Sequence, residues 1–134
     1  MIPLFVHKSP RILKSFYSPF VWEIPTEEPV IYLTFDDGPI PNVTEWVLEQ
    51  LDIYLAKATF FCIGDNVRKY PELFASLLDK GHSVGNHTFN HLKGWNTEDE
   101  TYLENVKQCS DILPVDTSLF RPPYGRIKLS QARP

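Results

Sequence analysis

The 134-residue chain is poor in sulfur: it has one methionine and two cysteines, Cys62 and Cys109, each lying alone inside an apolar pattern. That argues against a disulfide framework, and both are expected as small buried thiols. Long hydrophobic runs are also missing. Residues Met1 to Pro29 are interrupted by Pro3, Pro10, Pro19, Pro25 and Pro29. No secretory signal or membrane span is expected there, and as written the chain reads as cytoplasmic. Positive charge is sparse, with 13 Lys and Arg against 17 Asp and Glu, a formal net charge of −4. No basic cluster tracks a phosphate backbone, so neither nucleic acid nor a membrane surface is an expected partner. Internal repeats and low-complexity segments are absent as well. The length suits one domain with a modest core.

Two regions follow from the patterning. Residues 1–29 read as an irregular arm with aromatic anchors at Phe5, Phe16, Tyr17, Phe20 and Trp22. From Val30 to Pro134 the chain alternates strand and helix. Val30–Phe35 is apolar enough for a parallel strand buried on both faces. Asn42 with Glu45 forms a capping box, and Val43, Trp46, Val47, Leu51, Tyr54 and Leu55 supply a helical stripe. Ala58–Ile63 is a second strand. Pro71 opens a helix lined by Leu73, Phe74, Leu77 and Leu78, which Gly81 ends. A short strand, His82–Asn86, follows. Thr97 with Glu100 would cap a third helix whose stripe is Leu103, Val106, Cys109, Ile112 and Leu113, and Leu119–Phe120 reads as a fourth strand. This order predicts an α/β fold with a parallel sheet or barrel, its polar motifs gathered at the strand ends.

Three motifs carry chemistry. Asp36 and Asp37, in Thr34-Phe35-Asp36-Asp37-Gly38-Pro39, set two carboxylates side by side behind an apolar run. Their repulsion and desolvation call for a metal or a cationic partner. His87-Thr88-Phe89-Asn90-His91 supplies two imidazoles, and Arg121-Pro122-Pro123-Tyr124-Gly125 a guanidinium. Singly, these could be a polar turn, a surface pair and a rigid loop. Together, in this order on strand ends of one α/β pattern, they point to a metal-dependent hydrolase.

The three motifs, with Ala58-Thr59-Phe60-Phe61 as a second strand, resemble those of the polysaccharide deacetylases, the NodB-homology or carbohydrate esterase family 4 domains. The likeness covers about residues 30 to 126. It implies a partial parallel (β/α) barrel of the distorted deacetylase type, with about four to five strands of a seven- to eight-stranded barrel. It implies one divalent metal, zinc or a similar ion such as cobalt or nickel, held by Asp37, His87 and His91. Asp36 would be the general base and Arg121 its partner. A backbone N–H near Tyr124 would meet the oxyanion, and Thr88 would brace the metal loop. The substrate would be an N-acetylated carbohydrate. The rival readings are an O-acetyl esterase, an amidase of non-peptide C–N bonds, and a non-catalytic sugar-binding or assembly module.

Other residues have weaker claims. Trp95 could stack on a sugar, but a helix staple is favoured. Asp65 and Asn66 could touch substrate or cap the next turn. His7 lies in the arm. His82 begins a strand whose other end carries His87, on the order of 16 Å away, so it cannot serve as an acid at the site. The family's later motifs, an Asp with a Trp and a Leu-x-His whose His protonates the leaving amine, do not occur after Arg126. Weak turnover and an open sheet edge prone to self-association are therefore expected.

Overall fold

A computed structural model describes residue 14 and residues 20–132. Contacts separate Met1–Ile31 from Tyr32–Pro134. The second unit holds three parallel strands in the order β1 (Leu33–Gly38), β2 (Ala58–Cys62), β3 (Ser83–Asn86). Four α-helices accompany them: α1 (Val43–Ile53), α2 (Gly64–Lys69), α3 (Pro71–Asp79) and α4 (Asp99–Ile112). The α/β class with a parallel sheet agrees with the sequence pattern.

The central strand explains the core. Ala58, Phe60, Phe61 and Cys62 are buried, because β2 has a neighbour on each side. Leu48 and Leu51 of α1, Val67 of α2, Phe74 and Leu77 of α3, and Cys109 and Leu113 around the end of α4 join Ala58, Phe60 and Cys62 in one cluster. Removing a side chain such as Phe60 from water stabilises the fold by about 2–3 kcal/mol. Both cysteines are free and buried, as expected. Burial pushes the Cys62 thiol up to about 12 and that of Cys109 to about 11.

Several expectations are corrected. Val30–Tyr32 forms no strand, and β1 instead runs on through both carboxylates to Gly38. It is also a sheet edge rather than a strand buried on both faces, with Leu33 exposed. On α1 the buried face is Thr44, Leu48 and Leu51, while Val43 and Trp46 are exposed, as are Tyr54 and Leu55 just past its end. The Asn42–Glu45 box is present, with the Asn42 N–H donating to Glu45 Oε2 at 2.6 Å. On α4 the buried residues are Tyr102, Asn105 and Cys109, and Leu103 faces out. Thr97 does not cap that helix; Glu98 occupies the N-cap, and the Thr97 hydroxyl donates to Lys93 O at 2.8 Å. The polar stretch Gly64–Lys69, without an apolar stripe to announce it, is helical.

The expected fourth strand contracts to one parallel bridge, Asn86 with Phe120. Its place beside β3 is kept by Asn86 N–H donating to Leu119 O (2.8 Å) and Arg121 N–H donating to Asn86 O (3.0 Å). Gly85 permits this approach: a Cβ there would meet the Phe61 ring at 2.6 Å and Leu119 O at 3.0 Å.

Candidate functional site

Successive side chains of a strand point to opposite faces, so Asp36 and Asp37 in a regular strand would diverge. The structure resolves this with a break in register. Asp36 pairs with Phe61 and Gly38 with Cys62, leaving Asp37 as an extra residue with φ 70°. Such a bulge re-aims a side chain. Each carboxylate then reaches its own partner.

Asp36 meets Arg121. The guanidinium Nη1 donates to Asp36 Oδ1 at 2.7 Å and to Thr34 Oγ1 at 3.0 Å, while the group lies 4.0 Å above the Phe61 ring. The ring that Gly85 admits is thus the floor on which the arginine rests.

Asp37 meets the histidines. Its Oδ1 is 3.3 Å from His87 Nε2 and 3.0 Å from His91 Nε2, and one donor atom from each residue falls within a 4.8 Å span. His87 is buried, with Nδ1 2.7 Å from Arg121 O. A carbonyl only accepts, so Nδ1 carries the proton and the neutral ring turns the lone pair of Nε2 toward the carboxylate. Burial holds this imidazole below its usual range, outweighing the Arg121 carbonyl and the nearby Asp36 charge, which favour protonation. Acceptors facing one another repel unless a cation lies among them. Two imidazole nitrogens and one carboxylate oxygen are the donor set of a divalent transition ion, with positions left for water and substrate. The residues therefore fit a metal.

The loop carrying the imidazoles is held from below. Thr88 is fully buried; its N–H donates to Asn86 Oδ1 (2.8 Å), and its hydroxyl accepts from Leu92 N–H (3.2 Å). Asn86 Nδ2 donates to Val106 O and Ser110 Oγ, both at 2.8 Å. Asn105 Oδ1 accepts from the N–H groups of Phe89 and Asn90, both at 2.9 Å. Thr88, His91 and Tyr124 have φ of 64°, 58° and 59°. Left-handed non-glycine residues cost roughly 1–3 kcal/mol each and gather where function constrains the backbone. The Tyr124 ring is exposed and packs on His91, with centroids 4.6 Å apart.

The other candidates separate. Asn66 Nδ2 donates to Asp37 O at 2.8 Å, whereas Asp65 pairs with Arg68 and Lys69. Trp95 is exposed rather than a helix staple. Its indole N–H donates to Ile127 O at 3.1 Å beneath the Arg126 guanidinium. His82 lies at the opposite end of the sheet, its Nδ1 accepting from Ala58 N–H at 3.3 Å. His7 is outside the described residues. Sequence reasoning missed Asn86, Asn105 and the bulge. A polar residue on the inward face of α4 was the available signal for Asn105.

Comparison with known proteins identifies relatives of the chain. The family model described as polysaccharide deacetylase matches residues 23–132. A peptidoglycan-N-acetylglucosamine deacetylase of Bacillus cereus is 44% identical over 109 residues, covering 79% of this chain and 51% of that protein. The structure of a peptidoglycan deacetylase from Bacillus subtilis superposes with TM-score 0.73 at 35% identity, over 81% of this chain and 55% of that one. A family 4 acetyl xylan esterase from Clostridium thermocellum, solved with a cobalt ion, gives TM-score 0.69 at 28% identity, over 75% of this chain and 51% of that one. The chain thus spans about half the length of each of these three relatives. With a family match over residues 23–132 and a relative 44% identical over most of its length, the chain belongs to the polysaccharide deacetylase family.

Proposed function

We propose that the chain carries the metal-and-base part of a site that hydrolyses N-acetyl groups on carbohydrate. The observation behind this reading is the convergence of three side chains of metal-ligating type, Asp37, His87 and His91, beside a second carboxylate held by Arg121. Asp37, His87 and His91 would hold one divalent ion, zinc by preference and cobalt or nickel as substitutes. When bound, that ion acidifies water and polarises a carbonyl. Asp36 acts as general base, taking the proton of the attacking water. Arg121, itself anchored by donating to Thr34 Oγ1, fixes the rotamer of that carboxylate, so its free oxygen keeps one orientation. The Tyr124 N–H, in its left-handed turn, meets the oxyanion as negative charge develops on the substrate oxygen. Thr88 braces the ligand loop.

Among the described residues no further imidazole stands at the site to protonate a departing amine, since His82 is at the far end of the sheet. Amide turnover by this chain is therefore slow, and ester turnover, with its better leaving group, is faster. Similarity to an acetyl xylan esterase favours ester hydrolysis as a second reading. N-acetylglucosamine units of peptidoglycan are the first substrate to try, from the substrate of the Bacillus cereus relative.

The test measures acetate release from N-acetylglucosamine oligomers and from an aryl acetate by the zinc-loaded chain. Expected are chelator-sensitive release, faster on the ester, and a loss of about 10²–10⁴-fold in Asp36→Asn. Release unaffected by chelator or by that substitution contradicts the reading.

A further inference from the structure

The metal ligands come from two separate pieces of chain, the β1 bulge and the loop after β3. Something must set the distance between them. Four consecutive residues at the start of α2 bond to both. Ile63 N–H donates to Gly38 O, Gly64 N–H to Thr88 O and Asp65 N–H to Phe89 O, each at 3.0 Å. Asn66 Nδ2 donates to Asp37 O at 2.8 Å. Carbonyls flanking the carboxylate ligand and carbonyls flanking the first imidazole ligand are thus clamped by one short segment. Gly64 allows the close approach: a Cβ there would strike Phe89 Cδ2 at 2.6 Å and Cα of Cys109 at 3.1 Å.

Three of these four donors are backbone groups that a substitution leaves in place. The fourth belongs to a side chain and goes to the residue under most backbone demand, Asp37, whose bulged position has φ 70°. Left-handed backbone in a non-glycine residue persists only when its surroundings over-determine it. We infer that Asn66 is a positioning residue: it pins the Asp37 bulge so that the carboxylate faces the two imidazoles, and thereby sets the affinity of the metal site. This rests on the metal reading above. Asn66 itself touches no reacting atom, and Asp65, which pairs with Arg68 and Lys69, takes no part.

The experiment titrates Co²⁺ and Zn²⁺ into the full chain and into Asn66→Ala, Asn66→Leu, Arg68→Ala and His91→Ala, with the visible Co²⁺ spectrum and the apo-protein melting curve recorded for each. Asn66→Leu keeps the branched shape without a donor, so it stands in should the alanine variant fold poorly. Expected for both Asn66 variants is affinity lower by about tenfold to a hundredfold, the usual scale for groups that orient a ligand. A changed Co²⁺ band should accompany it. Arg68→Ala, which loosens the same helix without touching Asp37, should bind as the parent does. If the parent binds, His91→Ala does not, and the Asn66 variants match the parent in affinity and spectrum, the inference is overturned while the metal reading stands. If the parent itself binds no ion, both are overturned.

Discussion

β1 and β2 begin alike in sequence and end in different surroundings. Both are preceded or filled by apolar residues, and both pair in register from Leu33 with Ala58 onward. Yet β2 is buried along almost its whole length, whereas β1 keeps only Gly38 buried. Among the described residues β2 sits between two strands and β1 beside one, and next to β1 lies an apolar cleft of about 220 Å³ lined by residues such as Leu33, Phe35, Trp46 and Tyr54. A strand's composition states what it can bury, while its neighbours decide what it does bury. The difference also separates structure from chemistry: the well-packed strand carries the core, and the exposed edge strand carries both carboxylates. A bulge is tolerated at such an edge, where one side of the strand has no ladder to break.

The comparison can be broken by substitution. Phe60→Ala in β2 should cost about 3–5 kcal/mol, while Leu33→Thr at the edge should cost under about 1 kcal/mol; urea unfolding of both variants measures the contrast. Comparable losses would mean that the edge is covered in solution. Next in size is the metal. Zinc at a hundred times its dissociation constant should stabilise the chain by about 2.7 kcal/mol, and Asp37→Ala should remove that gain. A chelator titration followed by thermal melting checks it.

The alkaline limb of stability is a third probe. Folding raises the thiols of Cys62 and Cys109 to about 12 and about 11, so above pH 9 the unfolded chain loses protons that the folded chain keeps. Stability should fall as pH rises through that window, by at most about 1.4 kcal/mol per pH unit for each thiol. The double alanine variant should flatten the urea midpoint between pH 8 and pH 10, and an equally steep profile in that variant would refute the assignment. The smallest effect belongs to the cleft. Trp46 is 60% exposed, so Trp46→Gln should shift stability by less than about 0.5 kcal/mol. A loss above about 1.5 kcal/mol would show the cleft to be occupied.

The sequence made the chemistry legible and left part of the packing hidden, for physical reasons. Asp36, Asp37, His87, His91 and Arg121 are recognisable by type and order, because polar groups at the ends of apolar strands are costly and therefore rare. Their shared end of the sheet followed from the parallel α/β order. The face of α1 was not legible, since apolar residues occur all round it and period alone favoured Trp46 and Tyr54 over Leu48. The contraction of the fourth strand to one bridge depends on Gly85 and Phe61, a contact between distant residues. The bulge at Asp37 and the clamp by Ile63–Asn66 leave no periodic trace at all, because they are backbone events. Asn66 was a candidate for contact with substrate; its amide instead reaches the Asp37 carbonyl.

The most direct measurement is X-ray absorption at the metal edge of the chain loaded with one equivalent of Zn²⁺ or Co²⁺. The expected spectrum is a first shell of nitrogen and oxygen with the multiple scattering of two imidazoles, and no protein-bound ion in His91→Ala. A shell containing sulfur, or one of oxygen alone, would contradict it.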